Sequence, residues 1–331
     1  VSVFKDLGAN LKSVPDNEVK LSLQSSATSG SPSTVLLDKI TAKRQAKVMI
    51  KVVKDFIGAE RKPFIVVDLS PAPKNIKFLG ARYAAIGGYL KFASKVEYTL
   101  VYDDNQKICF DVEKTKSFVE DLDKNSPVVV FGFTYMLYAQ VVKPLLDKGI
   151  SFNLPKGSKI IHIGGWKKLE NEKISKDKFN KAMAKLFLVK EENVIDIYGF
   201  TEQMGLNYPD CECGYKHTSL YSELIVRDPT TREVVKDGME GVLEFISPVP
   251  HSYPGNVVLT DDIGIINPDP CPYKRNGTRF KILGRLKKAE VRGCGDILGS
   301  KLKFKDTVDS SIKSYQSKLE LHFWSERNRS R

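Results

Sequence analysis

The sequence predicts an α/β fold: a parallel-rich sheet flanked by helices, joined to a smaller β subdomain. Two observations carry this. Apolar runs of strand length alternate with helix-period segments through the first two thirds of the chain, and after Tyr221 the texture changes to shorter runs separated by turn signals. The composition agrees with a globular chain, at 41% hydrophobic and 28% charged residues over 331 positions.

The elements follow in order. Residues 63–69 (PFIVVDL), 96–102 (VEYTLVY), 127–131 (PVVVF) and 159–163 (KIIHI) are short apolar runs that read as buried strands. Between them, 37–57, 80–93, 134–147 and 176–187 space their apolar residues as helices do. Beyond Tyr221, Asp228-Pro229, Asp237-Gly238 and Pro254-Gly255 punctuate shorter strands and predict a more antiparallel subdomain. The expected division is a core over 1–283, with 220–283 as its β-rich part. Residues 299–331 are polar and basic with a weak apolar pattern at 319–324, consistent with a short appended helix or a disordered tail.

A chain of this length buries a sizeable core without disulfides or metal to hold it. No run of eighteen apolar residues is present, and a mean hydropathy of -0.26 argues against a membrane span. The start, Val1-Ser2-Val3-Phe4, has no signal-peptide character and no initiator Met, so the N-terminus is expected to be incomplete. Five cysteines at no disulfide-framework spacing suit a reducing cytoplasm. The net charge of +12 is spread along the chain without a motif that reads nucleic acid, so it is read as a lysine-rich solvated surface, with a polyanion-binding role as the alternative.

Three segments carry candidate chemistry. Ser25-Ser26-Ala27-Thr28-Ser29-Gly30-Ser31-Pro32-Ser33-Thr34 precedes a predicted helix; hydroxyls, backbone N–H groups and a helix dipole together suit a phosphate chain, although a plain linker has the same composition. Tyr198-Gly199-Phe200-Thr201-Glu202-Gln203 follows the apolar strand that begins at Ile195. There a hydroxyl beside a carboxylate suits an α-phosphate and its Mg²⁺, or the threonine simply caps a turn. Thr260-Asp261-Asp262 is followed by Gly284-Arg285, and a strand-end carboxylate with a nearby guanidinium suits a ribose and phosphate.

In this order the three segments resemble the core motifs of the adenylate-forming superfamily. Ile161-His162-Ile163-Gly164-Gly165-Trp166, Gly214-Tyr215-Lys216-His217, Ser252-Tyr253-Pro254-Gly255 and Arg292-Gly293-Cys294 sharpen this to a resemblance to the LuxE-type acyl-protein synthetase family, over roughly 1–298. That family is the long-chain-fatty-acid ligase component of bacterial luminescence fatty acid reductase. The resemblance implies a fold like the N-terminal domain of adenylate-forming enzymes, ATP and Mg²⁺ as cofactors, a fatty acid substrate and an acyl-reductase partner.

By the same resemblance Ser25, Ser26, Thr28, Ser29 and Gly30 hold the β- and γ-phosphates, and Gly164, Gly165, Tyr198 and Gly199 line the adenine site. Thr201 touches the α-phosphate, Glu202 holds Mg²⁺, Asp262 the ribose, and Arg285 assists. Cys294 is the matching acyl acceptor, which makes 284–331 a hinge, an acceptor-cysteine segment and a short basic tail. Ala27 stands where the family's loop usually has glycine, which requires a negative φ there. Related phenylacetate-CoA-ligase-like enzymes carry a structural zinc on matching regions, so Cys211, Cys213, His217 and Cys271 form a candidate zinc set, with free thiols as the alternative. Two other readings stay open from the sequence: a CoA ligase or polysaccharide-biosynthesis adenylating enzyme, and a non-catalytic member that only binds a partner.

Overall fold

Continuous apolar runs bury on both faces, and these runs form the middle of the main sheet in the computed structural model. The structure describes residues 1–25, 32–71 and 80–286, all within one compact unit, Val1–Ile297. Of the predicted site residues, Ser26, Thr28, Ser29, Gly30 and Cys294 lie outside the described residues, as do Ala27 and the basic tail.

The strands are β1 (Val19–Gln24), β2 (Thr34–Asp38), β3 (Lys62–Leu69), β4 (Ala93–Tyr102), β5 (Ile108–Phe110), β6 (Val129–Phe133) and β7 (Lys159–Ile163). They continue as β8 (Val194–Tyr198), β9 (Tyr208–Pro209), β10 (Lys216–His217), β11 (Glu223–Arg227), β12 (Glu240–Ile246), β13 (Val257–Asn267) and β14 (Arg279–Arg285). The main sheet has the order β5-β4-β3-β6-β7-β8-β9. Its five inner strands are parallel, and the edge strands β5 and β9 are antiparallel to their neighbours. Phe64, Ile65, Val66 and Val67 of β3 are all fully buried, as helices on both faces of a parallel sheet require. The α/β expectation therefore holds.

A second sheet, β10-β14-β13-β12-β11, is antiparallel throughout. A third, two-stranded sheet pairs β1 with β2 and brackets the serine-rich loop. This hairpin packs through Leu23, Val35 and Leu37 on Phe4, Tyr253 and Val258.

Several boundaries differ from the sequence expectation. The long helix runs Lys39–Ile57 rather than starting near Leu37, because Asp38 is its N-cap and accepts from the Thr41 N–H at 2.7 Å. β2 therefore separates the serine-rich loop from the helix start by five residues, roughly 17 Å of extended chain. The serine-rich segment thus does not run directly into the helix, contrary to the sequence expectation. The helix expected over 134–147 opens into a wider π-helical turn at Tyr138–Val142, just ahead of Pro144, which has no N–H to donate to the preceding turn. The helix at Gly80–Tyr89 stops before β4, which starts at Ala93.

Candidate nucleotide site

The carboxyl ends of parallel strands are where α/β sheets place ligands. β7 and β8 are parallel neighbours, with Ile163 opposite Ile197, so the turns that follow them lie side by side. Gly164 sits at φ +78°, a left-handed conformation that costs a side-chain-bearing residue, and a Cβ at Gly165 would meet open space. Next to them Tyr198 and Gly199 end β8. The two glycine-bearing segments singled out from the sequence are thus adjacent.

The register of the second sheet brings in the third segment. Asp262 pairs with Arg285 across β13 and β14, and the ladder slips between Ile263 and Gly264, a bulge that re-aims the strand end. Arg285 Nε donates to Asp262 Oδ1 at 2.8 Å, and Tyr198 OH donates to Asp262 Oδ2 at 2.7 Å. Burial pushes the Tyr198 hydroxyl well above its usual range, and the neighbouring Asp262 carboxylate pushes it further. Three residues from segments as far apart as 198 and 285 therefore meet at one carboxylate.

Phe200 leads into a single turn of 3-10 helix, Thr201–Gln203, whose three residues are all buried. Gln203 Nε2 donates to the carbonyls of Phe245 and Gly255 at 3.1 and 2.8 Å, tying the turn to the second sheet. Tyr253 OH donates to the Glu202 carbonyl at 2.8 Å, and Gln45 Nε2 donates to that hydroxyl at 3.2 Å. A Cβ at Gly255 would stand 2.3 Å from the Tyr253 ring and 2.8 Å from the Glu202 carbonyl, so only glycine fits there. Burial pushes the Glu202 carboxyl up, opposed by the hydroxyl of Ser33. A desolvated carboxylate is held in its charged form by a cation, which suits this side chain to Mg²⁺.

Ser33 stands at the far end of the serine-rich loop, where its N–H donates to Ser25 Oγ at 2.8 Å and its carbonyl accepts from the Ser25 N–H at 2.9 Å. Ser25 and Ser33 close the neck of that loop beside Glu202. The sequence assigns no individual role to Ser33, Gln203, Gln45 or Tyr253. Ser33, Gln203 and Tyr253 fall inside segments already singled out, whereas Gln45 looks like any polar residue on a helix.

Behind the glycine turn lies a polar chain that the sequence reading also left without a role. Thr134 Oγ1 lies 2.8 Å from His162 Nδ1, 2.8 Å from the Gly164 carbonyl oxygen and 3.3 Å from that of Ile163. His162 faces Asp196 across the β7–β8 ladder, with Nδ1 3.6 Å from Oδ1. Lys216 Nζ donates to Asp196 Oδ2 at 3.0 Å and to Asp210 Oδ1 at 3.2 Å. Burial pushes His162 down and keeps its ring neutral. Asp196 is held well below the usual carboxylate range: burial would raise it, and the Lys216 ammonium outweighs that.

The candidate zinc residues converge. Cys211 and Cys213 lie on the turn between β9 and β10, His217 on β10, and Cys271 on the loop between β13 and β14. Their ligand atoms all lie within 4.8 Å of one another. Cys211 Sγ is 3.8 Å from Cys271 Sγ, and Cys213 Sγ is 3.7 Å from His217 Nε2. With Zn–S bonds of about 2.3 Å, a tetrahedron has edges of roughly 3.8 Å, so the cluster is close to metal-binding geometry. His217 Nδ1 lies 3.1 Å from the Asn276 carbonyl oxygen, an outer contact that turns Nε2 toward the thiols. Tyr273, two residues after Cys271, is exposed, and four ligands are present without it.

The aromatic residues of the segments 80–92 and 131–138 are largely core. Tyr89, Phe92, Phe131 and Phe133 pack into the main cluster, with the Tyr89 and Phe131 rings 4.5 Å apart. Beneath them Asp68 and Arg82 form a buried ion pair at 2.6 Å, with Tyr135 OH 2.9 Å from Arg82 NH1. No helix among the described residues is long and apolar enough to cross a membrane.

Comparison with known proteins bears on the family and the fold. The profile of the LuxE acyl-protein synthetases matches residues 1–303. The long-chain-fatty-acid–luciferin-component ligase of Aliivibrio fischeri is 27% identical over 305 residues, covering 88% of this chain and 75% of that protein. The ligase of the same name from Vibrio harveyi is 25% identical over 300 residues, covering 88% and 74%. Among solved structures, ATP-bound MatB from Rhodopseudomonas palustris superposes with a TM-score of 0.52 at 14% identity, over 82% of this chain and 49% of that one. An open conformation of 2-hydroxyisobutyryl-CoA ligase, with 2-HIB-AMP and CoA, gives 0.55 at 16%, over 83% and 59%. The chain thus spans about half the length of MatB, and at these identities the likeness is one of fold.

Proposed function

The chain belongs to the LuxE acyl-protein synthetase family, and from that membership we propose that it is an ATP-dependent ligase that activates a long-chain fatty acid as its acyl adenylate. The observation that carries this reading is the meeting of Tyr198, Asp262 and Arg285 at the carboxyl end of β8, beside the Gly164–Gly165 turn and the buried Glu202. The fatty acid is proposed from the names of the two ligases it resembles.

In the proposed step a carboxylate oxygen attacks the α-phosphorus in line, the bond to the bridging oxygen breaks, and pyrophosphate leaves with the electron pair. No general base is required, because the acid is already ionised at neutral pH. Asp262 accepts from the ribose hydroxyls, Arg285 orients that carboxylate, Thr201 meets the α-phosphate and Glu202 holds Mg²⁺. Ser25, Ser26, Thr28, Ser29 and Gly30 enclose the β- and γ-phosphates, and Gly164, Gly165, Tyr198 and Gly199 flank adenine. The acyl group then passes to the Cys294 thiolate: its sulfur attacks the carbonyl carbon, AMP leaves, and the thioester awaits a reductase partner. In this reading 1–283 is the adenylating core and 284–331 the hinge and acceptor segment, working in the cytoplasm. Zinc on Cys211, Cys213, His217 and Cys271 has a structural role.

Incubation with ATP and radiolabelled tetradecanoate tests the acyl-protein route. A protein-bound label that hydroxylamine removes and that Cys294→Ser abolishes is the expected result. Product release only on addition of CoA would instead assign the chain to CoA ligation.

A further inference from the structure

Gly164 turns left-handed directly after β7, and its carbonyl and that of Ile163 point back toward Thr134 at the end of β6. A hydroxyl has one proton. If Thr134 Oγ1 donates it to the Gly164 carbonyl at 2.8 Å, its contact with His162 Nδ1, also 2.8 Å, must be one in which the histidine donates. That fixes the neutral Nδ1–H tautomer. The Asp196 carboxylate, 3.6 Å from Nδ1 and kept ionised by the buried Lys216, favours a proton on that same nitrogen. Asp196 thus accepts from Lys216 on one side and faces the His162 Nδ1–H on the other, and from His162 the donors run through Thr134 to the backbone of the glycine turn.

We propose that Thr134 and His162 are positioning residues for the nucleotide site: they hold the Gly164–Gly165 turn in its left-handed form through a tautomer set by Asp196 and Lys216. Neither residue touches the nucleotide in this account. The proposal rests on the assignment of that turn to adenine, yet the turn itself is readable without a ligand. His162 Nε2 is buried and has no hydrogen-bond partner within the described structure, which is consistent with a lone pair rather than a proton at that position. The ring packs against Phe179 at 4.8 Å, so its apolar body is part of the core.

Four variants test this: Thr134→Val, Thr134→Ser, His162→Asn and His162→Gln. The asparagine amide reaches about as far as Nδ1 and preserves the donor to Thr134, whereas glutamine reaches about as far as Nε2 and does not. Amide hydrogen exchange of the ligand-free proteins reads the turn, and ATP titration with ATP–pyrophosphate exchange reads the site. The expected result is faster exchange over 163–166 and an ATP KM raised about tenfold, with kcat changed much less, in Thr134→Val and His162→Gln. Thr134→Ser and His162→Asn should stay near wild type on both measures. Unchanged exchange over 163–166 in folded Thr134→Val would overturn the positioning role. A loosened turn in a protein whose wild type binds no ATP would instead overturn its assignment to a nucleotide.

Discussion

Asp262 and Arg285 face each other in the ladder between β13 and β14, and the Arg285 guanidinium donates to the Asp262 carboxylate at 2.8 Å. The pair is anchored on its other side by Tyr198, so a single carboxylate joins the main sheet to the second one.

Removing the carboxylate should therefore be costly. Asp262→Ala is expected to lower kcat/KM for ATP by on the order of 10²-fold, because Arg285 and Tyr198 are left facing each other without their shared acceptor. Arg285→Lys keeps the charge and loses the fork, so its loss should be smaller but clear. Steady-state pyrophosphate exchange against ATP concentration measures both, and values within twofold of wild type would remove Asp262 from the site.

Glu202→Gln should separate stability from activity. Burial raises the folded-state pKa of Glu202 above its unfolded value, so ionisation favours the unfolded chain, and this group's stabilising contribution falls as pH rises through the unfolded pKa toward the folded one. A neutral isostere lacks that penalty. The variant is expected to melt higher at neutral pH by on the order of 1 kcal/mol and to lose Mg²⁺-dependent activity. The stability difference should vanish at acid pH, where the native Glu202 is itself protonated.

Asp38→Ala has the opposite pH signature. Burial would raise the Asp38 pKa, but the Thr41 N–H and hydroxyl, together with His251 Nδ1 at 2.8 Å, hold it below the usual range. Its contribution is present above the unfolded pKa and is lost as pH falls through the folded one. Loss of the cap should cost about 1–2 kcal/mol at pH 7 and progressively less below pH 4, followed by chemical denaturation across that range.

The Cys/His cluster predicts a metal. Protein purified under reducing conditions should carry about one zinc per chain, and Cys271→Ser or His217→Ala should lose it and melt lower. Elemental analysis decides this directly: a metal-free wild type of unchanged stability would leave four thiol and imidazole groups held together by packing alone.

The sequence made the inner strands legible because β3, β6 and β7 are apolar on both faces and need no partner to be recognised. It made the hairpin of β1 and β2 illegible, since 34–38 reads equally as the first turn of the helix that Asp38 in fact caps. β9 and β10 have two residues each and carry no periodicity at all. At the site, Tyr198, Glu202, Asp262 and Arg285 stood out by motif order. Their meeting depends on a bulge in β14 and on pairing between residues 64 positions apart, which no local pattern encodes. Thr134 and Lys216 were opaque for another reason: a threonine opening a helix and a lysine in a basic chain are ordinary until burial shows that each has charged or polar company.

Fatty-acid-dependent ATP–pyrophosphate exchange is the immediate readout of acid activation by ATP. Exchange should require Mg²⁺ and a long-chain fatty acid, persist in Cys294→Ser because adenylation precedes acyl transfer, and be lost in Glu202→Gln. No exchange with any carboxylic acid, from a folded protein with ATP and Mg²⁺ present, would contradict it.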